Sequence, residues 1–162
     1  MPKFSSKSKA KLETCHPLLQ KLFNEVIKHE DCTIIEGVRS LETQQEYVRK
    51  GVSKTMNSKH LKNDDGYSHA VDVIKYPIDW NDAPRNYMFA GFVKGVADSL
   101  GINIRMGADW NGNMTAKDQS FHDLPHFELV GTVPSNSTPV QKDVLPDGPT
   151  DDEIEDKLRG WE

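Results

Sequence analysis

Several features that would place this chain in a special class are missing from its 162 residues. No apolar run approaches the roughly eighteen residues that a membrane-spanning helix needs, so the sequence predicts no membrane insertion. The basic segment 1–13 is not followed by an apolar stretch, so we expect no secretory signal peptide. Only two cysteines are present, Cys15 and Cys32, which excludes a disulfide framework and predicts ordinary reduced thiols.

The chain also lacks an excess of positive charge, because 25 acidic side chains outnumber 20 basic ones and the net charge is −5. No basic stripe is present, so no nucleic-acid partner is expected. Residues 143–162 hold eight acidic and two basic side chains, a net charge of −6, which leaves +1 on the other 142 residues. Residues 131–150 are rich in Pro, Ser and Thr and have no apolar period. We therefore predict one folded domain at residues 1–130, followed at residues 131–162 by a linker and an acidic tail.

The apolar pattern of residues 1–130 is that of a mixed domain with one modest core. Helical periodicity marks residues 17–30, 40–50 and 85–100, with Pro17 at a tolerated first-turn position. Short runs rich in β-branched or aromatic residues predict strands at 32–38, 70–76, 102–106 and 126–130. This order of elements, with long irregular loops, predicts an α+β fold rather than a doubly wound sheet.

Six histidines are the main candidates for chemistry, and two of them, His16 and His29, flank the first predicted helix as ordinary helix-end residues. His122 and His126 have the spacing of the helical zinc motif H-E-x-x-H. Residue 123 is Asp rather than Glu, however, and Pro125 would interrupt the helix. We therefore interpret this segment as a loop that leads into a strand.

His60, Asp72 and His126 remain as a set of two imidazoles and one carboxylate, which suits Zn²⁺ with a fourth position open to water. Asp123 lies near enough in sequence to act as the base that such a site needs. Spacing alone also allows these residues to be scattered on the surface. His69 is a rival ligand, although strand alternation would point it away from Asp72.

Several short motifs occur in a characteristic order in this chain. They are S-K-H at 58–60, H-A-V-D at 69–72, H-D-L-P-H-F-E-L at 122–129, G-V-R-S at 37–40 with Gln44 and Gln45, and G-A-D-W-N at 107–111. Together they resemble the zinc D-alanyl-D-alanine carboxypeptidase superfamily and, within it, the L-alanyl-D-glutamate peptidases that tailed bacteriophages use as endolysins. The resemblance covers about residues 10–130 and implies a hedgehog/D-Ala-D-Ala-peptidase-like fold, in which helices pack on a small antiparallel sheet.

The resemblance also implies roles for individual residues. It assigns His60, Asp72 and His126 as zinc ligands, Asp123 as the catalytic acid/base, and Arg39 as a contact to the substrate or its developing oxyanion. By the same resemblance, Ser58 and Glu128 orient the ligand histidines.

The implied enzyme is a monomeric zinc peptidase whose domain spans residues 1–130. It would cut an amide, L-Ala–D-Glu, in the peptidoglycan stem peptide. It would be made in the host cytoplasm and act on the cell wall in the periplasm after a separate protein opens the membrane. Two alternatives remain open: a D-alanyl-D-alanine carboxypeptidase or dipeptidase, and a non-catalytic, metal-stabilised wall-binding module.

Two features depart from simple patterns. His60 and Asp72 are twelve positions apart, farther than in the compact family pattern, and Ser68 stands where glycine is usual. The run Asp109, Asn111, Asn113 resembles the start of a calcium loop, but it lacks Gly at its sixth position and Glu at its twelfth. We interpret that run as a polar turn.

Overall fold

The computed structural model describes residues 1–131, and the predicted linker and tail lie outside that part of the chain. Four helices and four strands lie within residues 1–131. The helices are α1 (Ser6–Leu12), α2 (Pro17–Val26), α3 (Leu41–Arg49) and α4 (Ala83–Ser99). The strands are β1 (Cys32–Glu36), β2 (Ala70–Lys75), β3 (Ile104–Gly107) and β4 (Asp123–Leu129). These elements follow one another in the order α1, α2, β1, α3, β2, α4, β3, β4. The prediction of an α+β fold is confirmed.

The strands form one antiparallel sheet in the order β1-β2-β4-β3. One face of the sheet packs against α2 and α4. The core between them includes Leu22 and Phe23 of α2, Val93 of α4, and Val71 and Phe127 of the central strands, all fully buried. Burial of this continuous apolar surface is the main favourable contribution to folding, and it fixes the two central strands rigidly side by side.

Helix α1 was not expected, because its sequence SKSKAKL has no apolar stripe. It covers β1, an edge strand of the sheet. The Lys11 ammonium donates to the Ile35 carbonyl at 2.8 Å, and Ser8 Oγ accepts from the Ile34 amide at 3.2 Å. The helix therefore satisfies backbone groups of the edge strand that would otherwise need water.

The boundaries of most other elements differ from the sequence prediction by a few residues. Helix α2 ends at Val26 and α4 begins at Ala83, after its N-cap Asp82. The segment before His126, predicted as a loop, is instead part of β4, which begins at Asp123. The register of β3 against β4 is irregular between Met106 and Gly107, and Pro125 is tolerated in the strand at this irregularity.

Both cysteines are free, as predicted, and both are buried. Among residues 1–131, no helix has the length and apolar character needed to cross a membrane.

Candidate active site

Three separate elements bring His60, Asp72 and His126 together. Asp72 in β2 and His126 in β4 are direct cross-strand partners, so their side chains lie on the same face of the sheet. His60 comes from the loop after α3, and this loop is joined to the segment that follows β1, because the Arg39 amide donates to the His60 carbonyl at 2.8 Å. Asp72 Oδ1 lies 3.1 Å from His60 Nε2 and 3.2 Å from His126 Nδ1. The three predicted ligands therefore converge, and all three are buried.

The hydrogen bonds on the far side of each imidazole show that this set fits a metal ion. The other ring nitrogen of His60, Nδ1, lies 2.8 Å from the Gly37 carbonyl, which can only accept. The other ring nitrogen of His126, Nε2, lies 2.9 Å from Glu128 Oε1, which accepts as a carboxylate. Each neutral ring therefore carries its proton on the outer nitrogen and turns a lone pair toward Asp72. Two lone pairs and a carboxylate oxygen that face each other form a site for a cation.

His126 also shows how strongly its surroundings favour positive charge. Burial alone would lower the pKa of this imidazole. The hydrogen bonds to Asp72 and Glu128, together with the charges of Asp72 and Asp123, outweigh burial and raise its pKa to about 9. In the metal-free protein a proton on His126 therefore supplies positive charge beside Asp72, as a bound metal ion would.

Glu128 connects His126 to two cations at the mouth of the site. Its Oε2 lies 2.9 Å from both the Lys59 ammonium and the Arg105 guanidinium. Burial would raise the pKa of Glu128, but the hydrogen bonds from His126 and Lys59 lower it to about 2. Glu128 therefore stays ionised and holds the His126 ring, the orienting role that the resemblance implied. Ser58 orients the backbone rather than a ring, because its Oγ accepts from the His60 amide at 3.2 Å.

Arg39 is buried in the wall behind Asp72. Its guanidinium pairs with Glu36, donates to Gln44 Oε1 at 2.6 Å, and lies 4.4 Å from the centre of the Tyr47 ring. One terminal nitrogen is 4.0 Å from Asp72 Oδ2. Burial disfavours the charge of Arg39, but the charges of Glu36 and Asp72 raise its pKa above the ordinary value. Most of the N–H donors of Arg39 are therefore already bound to other residues of the protein. The contact of Arg39 with substrate stays a prediction.

Asp123 lies at the start of β4, opposite Gly107 of β3, and is 8% exposed. A Cβ added at Gly107 would overlap the backbone oxygen of Asp123, so glycine is required for this close approach. Asp123 and His126 line the same cleft, and the charge of Asp123 contributes to the raised pKa of His126. The structure thus brings the predicted base to the predicted ligands.

The cleft beside these residues has a volume of about 610 Å³. Trp110 forms part of its wall, with its ring 5.5 Å from His126 and stacked on Phe121 at 5.9 Å. Lys54 and Arg105 also line it. The sequence did not single out Lys54 or Phe121, because neither lies in a motif with catalytic residue types.

A second group of possible metal ligands consists of His16, Asp65 and His69. His69 precedes β2 and contacts Asp65 Oδ2 at 2.7 Å, so the structure places it away from Asp72. His16 Nδ1 accepts from the Leu18 amide at 3.1 Å and caps α2. The neutral His16 ring therefore carries its proton on Nε2, the atom that faces Asp65 at 3.9 Å. The His16 amide also donates to the Ser68 carbonyl at 2.8 Å, so this arrangement suits a tether between the long loop and α2 better than a metal site.

Two other candidates from the sequence lie apart from the convergent set. His122 Nδ1 is 2.5 Å from the Tyr87 hydroxyl. Asp109 accepts from the amides of Gly112 and Met114, and the side chains of Asn111 and Asn113 donate to Asp118. The Asp109 segment is therefore a turn stabilised by its own polar groups, as interpreted from the sequence.

Comparison with known proteins identifies a family for this chain. Residues 1–130 match the family model described as phage L-alanyl-D-glutamate peptidase. The L-alanyl-D-glutamate peptidase of Escherichia phage T5 is 31% identical over 139 residues, which are 79% of this chain and 98% of that protein. The crystal structure of the Serratia marcescens L-Ala D-Glu endopeptidase ChiX superposes with a TM-score of 0.63 at 28% identity, covering 79% of this chain and 90% of that one. The chain belongs to the phage L-alanyl-D-glutamate peptidase family.

Proposed function

We propose that this protein is a zinc-dependent endolysin that hydrolyses the L-alanyl–D-glutamyl amide bond in the stem peptide of bacterial peptidoglycan. Family membership supports the peptidase activity and the substrate class. The observation that carries the metal is the convergence of His60 Nε2 and His126 Nδ1 on Asp72 Oδ1, at 3.1 and 3.2 Å, inside the cleft. Two imidazoles and one carboxylate are a common ligand set for catalytic zinc.

Each residue has a role that follows from its position. His60, Asp72 and His126 would hold the zinc, which when bound supplies a Lewis acid that polarises the scissile carbonyl. Asp123 accepts the proton of the attacking water and delivers it to the leaving amine. Glu128 and the Gly37 carbonyl keep the ligand rings oriented.

Arg39 contributes positive charge on the side where the oxyanion develops. Because its donors already bind Glu36 and Gln44, this contribution is mainly electrostatic. The protein acts as a monomer on the cell wall, and it is made in the host cytoplasm and reaches the wall when a separate protein opens the membrane.

Digestion of defined stem peptides, followed by mass spectrometry of the fragments, tests this function. A new N-terminal D-glutamate is the expected product, and chelator should abolish its formation while added zinc restores it. Release of D-alanine would instead identify a carboxypeptidase. Binding to walls without any product would identify a metal-stabilised binding module, and full activity in metal-free buffer would exclude the zinc mechanism.

A further inference from the structure

The cations that line the cleft differ in whether they form ion pairs with the protein. Four cations are found there: Arg39, Lys54, Lys59 and Arg105. Arg39 pairs with Glu36, while Lys59 and Arg105 share Glu128. Within residues 1–131, Lys54 forms no ion pair with any carboxylate. Lys54 is therefore the cation whose charge is available to an anionic ligand.

The position of Lys54 is defined by contacts on both sides. Its ammonium lies 5.1 Å from the centre of the Phe121 ring. Phe121 stacks on Trp110, and Trp110 contacts His126, so one pair of aromatic rings connects Lys54 to the proposed metal ligands. An aromatic surface under an ammonium group favours the cation and reduces its contact with water.

The backbone around Lys54 is also held in place. The side-chain amide of Gln44, which is fully buried, donates to Ser53 Oγ at 2.9 Å and to the Thr55 carbonyl. The same Gln44 accepts from Arg39 at 2.6 Å. The segment that carries Lys54 is thus fastened to the wall of the metal site, and a substrate would meet a cation whose backbone is already positioned.

We propose that Lys54 binds the free carboxylate of the D-glutamyl residue on the leaving-group side of the scissile amide. This inference rests on the proposed function and names a substrate group that the cleft recognises. A glutamyl residue has two carboxyl groups, of which one continues the peptide and the other is ionised at neutral pH. The ammonium of Lys54 is the complementary group, and the other cations of the cleft already have protein partners.

Two peptides that differ only in this group provide the test. One has the free carboxylate on the D-glutamyl residue and the other has a carboxamide. The zinc-loaded wild type should cleave the carboxylate peptide with a kcat/KM about three- to tenfold higher, the range between an exposed and a partly desolvated ion pair. Most of the difference should appear in KM, and it should shrink as salt is added.

Lys54→Met should lose this preference by slowing cleavage of the carboxylate peptide, while cleavage of the carboxamide peptide changes less than about twofold. Lys54→Arg should restore most of the preference. Lys62→Met removes the same charge from an exposed position outside the cleft and should leave both rates unchanged.

Equal cleavage of both peptides by the wild type would overturn the inference, and so would an equal loss on both peptides in Lys54→Met. Those results would leave the proposed function standing, because both peptides would still yield a new N-terminus at the glutamyl residue. Failure of the wild type to cut either peptide would overturn the proposed function and this inference together.

Discussion

The sharpest prediction separates zinc binding from proton transfer at Asp123. Replacement by Asn removes the carboxylate and preserves the side-chain size at a position that is 8% exposed. Asp123 is not one of the three side chains whose donor atoms converge, so the zinc ligands stay in place. An amide cannot accept the proton of the attacking water. General acid–base groups contribute typically ~10²–10⁴-fold to the rate, which corresponds to roughly 3–5 kcal/mol of activation free energy.

The assay measures zinc content and peptide cleavage in parallel for Asp123→Asn and the wild type. The variant should retain its zinc and lose turnover by at least about a hundredfold, with little change in KM. Asp64→Asn, in an exposed part of the loop before β2, removes the same charge away from the cleft and should behave as the wild type. Near-normal turnover in Asp123→Asn would refute the assignment of the base, and Glu128 would be tested next. Loss of zinc would instead make residue 123 part of the metal site.

Three further predictions concern the metal site and its support. His60→Ala should lose most of the bound zinc and His69→Ala should keep it, as measured by metal analysis; the opposite result would redraw the ligand set. In the metal-free protein, the pKa of His126 is raised from 6.5 to about 9. Its contribution to stability is therefore complete below pH 6.5 and is lost as the pH rises through 9, so the melting temperature should fall across that range in chelator. Zinc affinity should rise across the same range, because the metal competes with this proton; a flat titration would contradict the argument. Gly107→Ala should displace Asp123 and destabilise the fold by about 1–3 kcal/mol in denaturant unfolding, because the added Cβ overlaps the Asp123 backbone; an unchanged unfolding midpoint would show that the strand accommodates it.

The sequence was most informative about residues whose chemistry is unusual for their setting. Asp72, His60 and His126 were singled out as a set of ligand types that suits zinc, and the resemblance assigned the three residues to one site. The apolar pattern could not show that β2 and β4, far apart in the chain, are neighbours in the sheet. That pairing places Asp72 beside His126, and it depends on packing between distant segments rather than on local periodicity.

Other features could not be predicted, because they depend on tertiary contacts of polar residues. Helix α1 buries Lys11 against a strand carbonyl, which no hydropathy pattern reveals. Gly37 was noted as part of a motif, but the reason for glycine appears only in the fold. A Cβ there would overlap the Lys11 carbonyl and Thr14, and the Gly37 carbonyl is the acceptor that orients His60.

The balance of charge in the buried site connects these observations. Around the proposed metal position, four buried carboxylates lie near three cations that form ion pairs; the carboxylates are Glu36, Asp72, Asp123 and Glu128, and the cations are Arg39, Lys59 and Arg105. The fourth cation of the cleft, Lys54, lies over the Phe121 ring and pairs with no carboxylate of residues 1–131. With both ligand imidazoles neutral, the site lacks positive charge. In the metal-free protein His126 supplies it by retaining a proton, which is why its pKa rises although burial alone would lower it. A divalent cation supplies the missing positive charge when that proton leaves. The same excess of carboxylates therefore attracts the metal and makes metal binding dependent on pH.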